Sequence, residues 1–109
     1  MSPDHDSLGE FEHLVLLAIL RVGEGAYGVP IRDEIEATAD RSVTLGALYA
    51  TLRRLEAKGL LTSKTAVADD TGRHRKIVAV TPDGLEAVRH AQARLRRMAD
   101  GLEELLGEA

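Results

Sequence analysis

The spacing of the apolar residues changes twice along this 109-residue chain, and this order constrains the fold more than any other feature. Up to Gly59 the apolar residues recur at helical intervals, over residues 60–81 they form two strand-like runs, and after Pro82 the helical interval returns. A chain of this length has room for one domain with at most one appended element. The order predicts several helices, then one β-hairpin, then a final helix.

The first predicted helix covers residues 9–22 and is apolar nearly all round over two of its turns. An ordinary surface helix shows a narrower apolar stripe, so this helix should be covered on more than one side. In so small a chain, the second cover is expected to be another subunit.

Two further helices are predicted before the hairpin. One starts at about Gly28, with Pro30 in its first turn, where a missing N–H costs nothing. The other covers residues 44–58, because Thr44 can accept a capping hydrogen bond and Gly59 follows the last turn. The predicted strands are residues 60–67 and 75–81, joined by a loop over residues 68–74.

The final helix is predicted to carry a dimer contact. Its apolar residues recur at alternating intervals of three and four, which is the spacing of a coiled-coil seam. The seam is too long for a body of about 80 residues to cover. With the first helix it gives a candidate dimer interface of Phe11, Leu14, Val15, Ala91, Leu95, Met98, Leu102 and Leu105.

These elements predict a mainly α protein with a small β-hairpin, namely a winged helix-turn-helix plus one long C-terminal helix. Residues 1–7 are expected to be disordered. Residues 8–82 would form the winged-helix domain and residues 83–109 the dimerisation helix.

Charge is distributed unevenly, although the net charge of the chain is −4. Residues 41–76 hold eight basic residues against three acidic ones, whereas acidic residues predominate on both sides of this segment. Attraction to phosphate depends on the local field and not on the total charge, so the middle third is a candidate nucleic-acid surface.

In helix-turn-helix proteins the second helix of the motif enters the major groove, and here that helix is residues 44–58. Small residues in its first turns would let the backbone approach the bases, and basic residues follow further along. The end of the predicted hairpin adds four potential cations suited to phosphate contact. The candidate DNA-binding residues are Thr44, Gly46, Ala47, Tyr49, Ala50, Arg53, Arg54, Lys58, Arg73, His74, Arg75 and Lys76.

Several short segments, taken in order, resemble the PadR family of transcriptional regulators. They are LGEFE (8–12), AYG (26–28), SVTLGALY (42–49), LRRLEAKGL (52–60), GRHRK (72–76) and VTPDG (80–84). The resemblance implies a cytoplasmic homodimer that binds double-stranded DNA, represses neighbouring genes and is released by a small-molecule effector or a stress signal. It is closest to the compact branch, in which a single tail helix makes the dimer.

Two departures from the family pattern stand out. Ile77 and Val78 follow the basic run where the family usually carries aromatic residues. The sequence also has no Trp, so the stacking of aromatic drugs between tryptophans, seen in some relatives, is not expected here.

The sequence gives no sign of catalysis, of a cofactor or of membrane insertion. Its four histidines are scattered and it has no cysteine, which removes thiolate chemistry and disulfides. The longest apolar run, residues 14–20, is too short to span a bilayer, and the acidic start does not resemble a signal peptide.

Two alternatives stay open from the sequence alone. The chain could be a winged helix that binds protein instead of DNA. It could also be a metal-responsive repressor that gathers Asp4, His5, Asp6, His13 and His90 across a dimer, although it lacks sulfur ligands and a pair of histidines one helical turn apart.

Overall fold

The computed structural model describes residues 8–68 and 72–108, so the predicted disorder of residues 1–7 lies outside the described part. The described elements confirm the predicted fold class, a mainly helical chain with one antiparallel hairpin. They are α1 (Glu10–Val22), α2 (Gly28–Ala39), α3 (Leu45–Ala57), β1 (Leu61–Ala68), β2 (Arg73–Val80), α4 (Pro82–Ala99) and the short α5 (Glu103–Leu106).

Threonine caps fix the starts of two helices. The Thr44 hydroxyl accepts a hydrogen bond from the Ala47 N–H at 3.1 Å, and α3 begins at the next residue. The Thr81 hydroxyl accepts from the Gly84 N–H at 3.0 Å, and Pro82 occupies the first position of α4. Each cap satisfies an N–H that the first turn of a helix leaves without a partner.

One aliphatic core joins the helices to the hairpin. Its fully buried residues come from α1, α2, α3 and the start of β1, and the first half of α4 closes it. The helical stripes supply these residues because positions three and four apart share a face. The largest fully buried side chains are Leu16, Ile31, Leu48, Leu55, Leu61, Val15 and Thr51.

The hairpin is longer than predicted, which corrects the position of two basic residues. β1 runs to Ala68 and pairs there with Arg73, the first residue of β2. Arg73 and His74 therefore lie on a strand and not in the predicted loop. On its other side β2 is joined to the segment before α2, because the Val78 N–H donates to the Ala26 carbonyl at 2.9 Å. This bond holds the hairpin against the start of α2.

The C-terminal helix is shorter than predicted. α4 ends at Ala99, and the backbone turns through Gly101, whose φ of 87° is one that glycine adopts at little cost. The predicted seam is therefore interrupted, and Leu102 and Leu105 do not continue one straight helical face with Leu95. None of the helices in residues 8–68 and 72–108 is long and apolar enough to cross a membrane.

The predicted dimer residues divide by burial. Val15 and Ala91 are buried in the chain's own core, so they have almost no surface left for a second copy, which corrects these two assignments. Phe11 and Leu14 are half-buried. Leu95 and Met98 remain 60% and 75% exposed, and Leu102 and Leu105 in the tail are also exposed. The unpartnered apolar surface therefore lies on the second half of α4 and beyond it.

Candidate nucleic-acid interface

One face of α3 is buried and the other is open, which gives the basic half of the helix a free surface. Leu48, Leu52 and Leu55 pack into the core, as the helical spacing predicts. On the open side, Thr44, Gly46 and Ala47 are exposed at the first turns, and Ala50 is half-buried. These small side chains leave the helix backbone within reach of a bound surface.

Tyr49 links the open side of α3 to the start of α2. A Cβ placed on Gly28 would lie 2.6 Å from the Tyr49 hydroxyl oxygen and 2.9 Å from two ring carbons. The tyrosine ring thus rests directly on the glycine backbone, where any larger residue would displace it. Tyr49 is still 43% exposed, so part of the residue is open to a ligand.

The three basic residues predicted along α3 do not have the same surroundings. Arg53 is exposed and forms no ion pair with any of residues 8–68 and 72–108. Arg54 donates to the Thr51 hydroxyl at 3.0 Å and lies 3.8 Å from a Glu12 carboxylate oxygen. The Lys58 ammonium sits on both Glu12 oxygens, at 3.0 and 3.1 Å. Arg53 is therefore the basic residue of α3 best placed for an outside anion.

Glu12 explains why Lys58 is held inward. Burial raises the pKa of the Glu12 carboxyl. The hydrogen bond from the Gly9 N–H and the charges of Lys58 and Arg54 lower the pKa by more than burial raises it, so the net pKa lies below the ordinary value. The carboxylate is thus ionised at neutral pH, and its ion pair with Lys58 ties α1 to the end of α3. Sequence analysis missed Glu12, because its partner Lys58 is 46 residues away.

The four basic residues of β2 lie on opposite faces of the hairpin, because successive strand residues alternate. Lys76 lies 3.4 Å from a Glu56 oxygen on α3, and the Ser63 hydroxyl of β1 donates to the same carboxylate at 2.8 Å. The Ser63 hydrogen bond and the Lys76 charge together lower the pKa of Glu56. One face of the hairpin is therefore attached to α3.

On the other face of the hairpin, Arg75 contacts the residue that precedes α2. The Arg75 guanidinium lies 3.8 Å from the centre of the Tyr27 ring, and Arg73 is on the same face as Arg75. Arg73 and His74 are exposed, whereas Arg75 is half-buried by its contact with the ring. Sequence analysis did not single out Tyr27 as a site residue.

These elements enclose a groove of about 250 Å³ between the start of α2, α3 and the edge of β2. The structure thus brings Tyr49 together with all four predicted basic residues of the hairpin, and adds Tyr27 and the backbone at Gly28. The lining residues are Tyr27, Gly28, Val29, Tyr49, Arg73, His74, Arg75 and Lys76.

No group of three or more metal-ligating side chains occurs in the part of the chain that the structure describes. His90 lies 3.7 Å from the Glu86 carboxylate on its own helix. Of the residues in the metal-sensor alternative, Asp4, His5 and Asp6 lie outside the described residues.

A helical pair whose second helix has an open, partly basic face, followed by a hairpin that carries basic residues beside it, defines a winged helix-turn-helix protein. The family model of the PadR-like transcriptional regulators matches residues 16–90. The chain therefore belongs to the PadR-like family of transcriptional regulators, as the short sequence segments indicated.

Individual relatives agree with this assignment. The chain is 43% identical over 65 residues to the transcriptional regulator Rv3488 of Mycobacterium tuberculosis H37Rv. That alignment covers 60% of this chain and 56% of the relative, so the chain spans about half the length of the curated relative it matches.

Solved structures share the fold. A PadR family transcriptional regulator from Eggerthella lenta DSM 2243 is 30% identical, with a TM-score of 0.68 over 89% of this chain and 86% of that one. A PadR family transcription regulator from hypervirulent Clostridium difficile R20291 has a TM-score of 0.71 over 90% of this chain and 99% of that one. At 22% identity the second likeness shows the fold alone.

Proposed function

We propose that this chain binds double-stranded DNA as a homodimer and represses transcription from a palindromic operator. The observation that carries the proposal is the groove in which the open side of α3, the start of α2 and the basic strand β2 meet. The basic residues of β2 that line this groove, together with the exposed Arg53 on the neighbouring α3, suit a phosphate backbone better than they suit a neutral partner.

Within this proposal α3 enters the major groove. Thr44 and Ala47 lie at its exposed N-terminal end, where a recognition helix meets base edges, and Ala50 follows one turn later. A hydroxyl can hydrogen-bond a base edge, and alanine methyl groups can contact the methyl group of thymine. Tyr49 and Arg53 lie where the sugar-phosphate backbone would pass, and they set the register of the helix.

The hairpin supplies the second set of phosphate contacts. Arg73, His74 and Arg75 lie beside the groove, and the first two are exposed. Lys76 and Lys58 contribute less in this account, because each is already paired with a carboxylate of the chain. The hairpin would therefore hold the DNA backbone, while α3 would read the base sequence.

Dimerisation is proposed through the second half of α4 and the tail. Leu95 and Met98 share one helical face and are largely exposed, and Leu102, Leu105 and Leu106 add apolar surface beyond the turn. Exposed apolar residues that lie together mark protein contact sites in soluble proteins. A symmetric dimer would place two α3 helices in successive major grooves, about 34–36 Å apart.

An effector would act on this arrangement by changing the angle between the two winged-helix units. A rotation that moved the two α3 helices out of register with successive grooves would release the operator. The first helix and the C-terminal helix α4 are the elements that would transmit such a change, since α1 packs against α4 in the core.

The first test is the salt dependence of binding to duplex DNA. If the dimer neutralises about six to ten phosphates, its affinity should fall roughly 10³- to 10⁵-fold between 50 and 200 mM salt. Arg53→Ala should weaken binding to all sequences and reduce the slope of log affinity against log salt by about two, because each subunit loses one contact. Fluorescence anisotropy across a salt series measures both quantities.

Arg89→Ala is the matched control, because Arg89 is an exposed arginine in the first half of α4, outside both the proposed DNA contact and the proposed dimer contact. Its slope and affinity should match those of the wild type. A flat salt response of the wild type would contradict DNA binding, and equal slopes for Arg53→Ala and the wild type would remove Arg53 from the interface.

A further inference from the structure

Tyr27 lies outside α2, α3 and the hairpin, yet its ring contacts a cation of the hairpin. Tyr27 immediately precedes α2, and its ring faces the Arg75 guanidinium at 3.8 Å. A flat guanidinium over an aromatic face is attracted by the ring's quadrupole and stacks well on it. The contact half-buries Arg75, whereas the neighbouring Arg73 and His74 are exposed.

The backbone fixes where the tyrosine ring can lie. Ala26, one residue before Tyr27, accepts the hydrogen bond from the Val78 N–H of β2 at 2.9 Å. Val78 is three residues along the same strand from Arg75, so the bond anchors the ring close to the strand that carries the arginine. On the other side, Gly28 starts α2 and supports the Tyr49 ring.

The hydrogen bond from Val78 to Ala26 and the packing of Tyr49 on Gly28 connect the loop before α2 with the strand β2 and the helix α3. Without the ring, the Arg75 side chain would sample many rotamers above a two-stranded hairpin. Immobilising a long side chain on binding reduces affinity, and a side chain that is already held in place avoids most of that loss. Arg75 and Tyr49 line the same groove, so both can meet one stretch of DNA backbone.

We propose that Tyr27 is a positioning residue for DNA binding, which holds the Arg75 guanidinium in place for contact with a backbone phosphate. The proposal rests on the DNA-binding function proposed above. The phosphate contact is made by Arg75, and Tyr27 acts through it. The aromatic ring is the part of Tyr27 that matters here, and its hydroxyl is not required.

The test is a double-mutant cycle on DNA affinity, with Tyr27→Leu, Arg75→Ala and the double variant. Tyr27→Leu should lower affinity about three- to tenfold and reduce the salt slope, because Arg75 is no longer held at its phosphate. In the Arg75→Ala background the same change should have no further effect. Tyr27→Phe keeps the ring and should bind within about twofold of the wild type.

Three results would overturn the proposal: wild-type affinity for Tyr27→Leu, an undiminished loss in the Arg75→Ala background, or a loss for Tyr27→Phe as large as that for Tyr27→Leu. Wild-type protein that shows no salt-dependent binding to any duplex would instead overturn the proposed function itself. The two failures are therefore distinguishable.

Arg75→Lys gives an independent variant if Tyr27→Leu does not fold. It keeps the charge but loses the planar group that stacks on the ring, so affinity should fall although the side chain is still a cation. Binding equal to that of the wild type would overturn the proposal. In the wild type, the side-chain NMR signals of Arg75 should show a ring-current shift that Tyr27→Phe preserves.

Discussion

Gly84→Ala is expected to lower the free energy of unfolding by about 3 kcal/mol, near the upper end of the usual effect of overpacking. A Cβ at this position would lie 2.0 Å from the Leu60 carbonyl oxygen and 2.8 Å from a Val80 methyl group. The same carbonyl accepts the Thr81 N–H at 3.1 Å, and the Thr81 hydroxyl donates to the Gly59 carbonyl at 2.8 Å. Relief of the clash would break these bonds, because the backbone of α4 and the backbone at Leu60 would have to move apart.

Thermal and urea unfolding measure this effect, and the midpoint temperature should fall by more than about 10 °C. Gly46→Ala is the control, since Gly46 also lies in the first turn of a helix but has open space where its Cβ would be. Alanine is the better helix former, so this variant should be at least as stable as the wild type. A Gly84→Ala variant within about 1 kcal/mol of the wild type would mean that α4 is not docked this closely.

Leu95→Arg is expected to convert the proposed dimer into monomers at micromolar concentration. In the proposed interface, the change buries an unpaired charge in each subunit, and such a charge costs about 3–5 kcal/mol. The dimer dissociation constant should therefore rise at least about 100- to 1,000-fold. The fold of each subunit should be retained, because Leu95 is 60% exposed in the single chain.

Light scattering and analytical ultracentrifugation report the change in mass, and circular dichroism reports the fold. Leu95→Met is the matched control, since it keeps an apolar side chain of similar volume and should stay dimeric. Loss of the dimer should also reduce operator affinity, because a monomer contacts only one half-site. A Leu95→Arg variant that remains a dimer would place the interface elsewhere on the chain.

The parts of this fold that were predictable from sequence are those with local signals. Thr44 and Thr81 each precede a helical run in the sequence, and both cap it. The leucines at positions 48, 52 and 55 are spaced for one face, and all three are buried. Such signals depend on residues three or four apart, which the printed sequence shows directly.

The wrong predictions concern the lengths of helices and strands, and contacts between residues that are distant in sequence. Gly101 lies inside a heptad pattern that continues to Leu105, and the pattern alone does not show that the helix ends at Ala99. The predicted strand began two residues late, which hid the alternation of the basic residues between two faces. A predicted strand that began at Arg73 would have placed Arg73, Arg75 and Ile77 on one face and the residues between them on the other.

For the candidate site, the sequence identified the basic residues but not their partners. Lys58 resembles Arg53 in sequence, yet its partner Glu12 comes from α1. Arg75 and Lys76 are adjacent, yet one stacks on Tyr27 and the other pairs with Glu56. Tertiary packing decides which cations face outward, so a count of basic residues overstates the free positive charge of the site.

Selection of binding sites from a random duplex library, with purified protein at near-physiological salt, is the most direct test of specific operator binding. Operator binding by a dimer should enrich an inverted repeat whose half-sites are about one helical turn apart, as two α3 helices in successive major grooves require. No enrichment above the starting library, with only weak retention that disappears as salt is raised, would contradict specific operator binding and favour a winged helix that binds another protein.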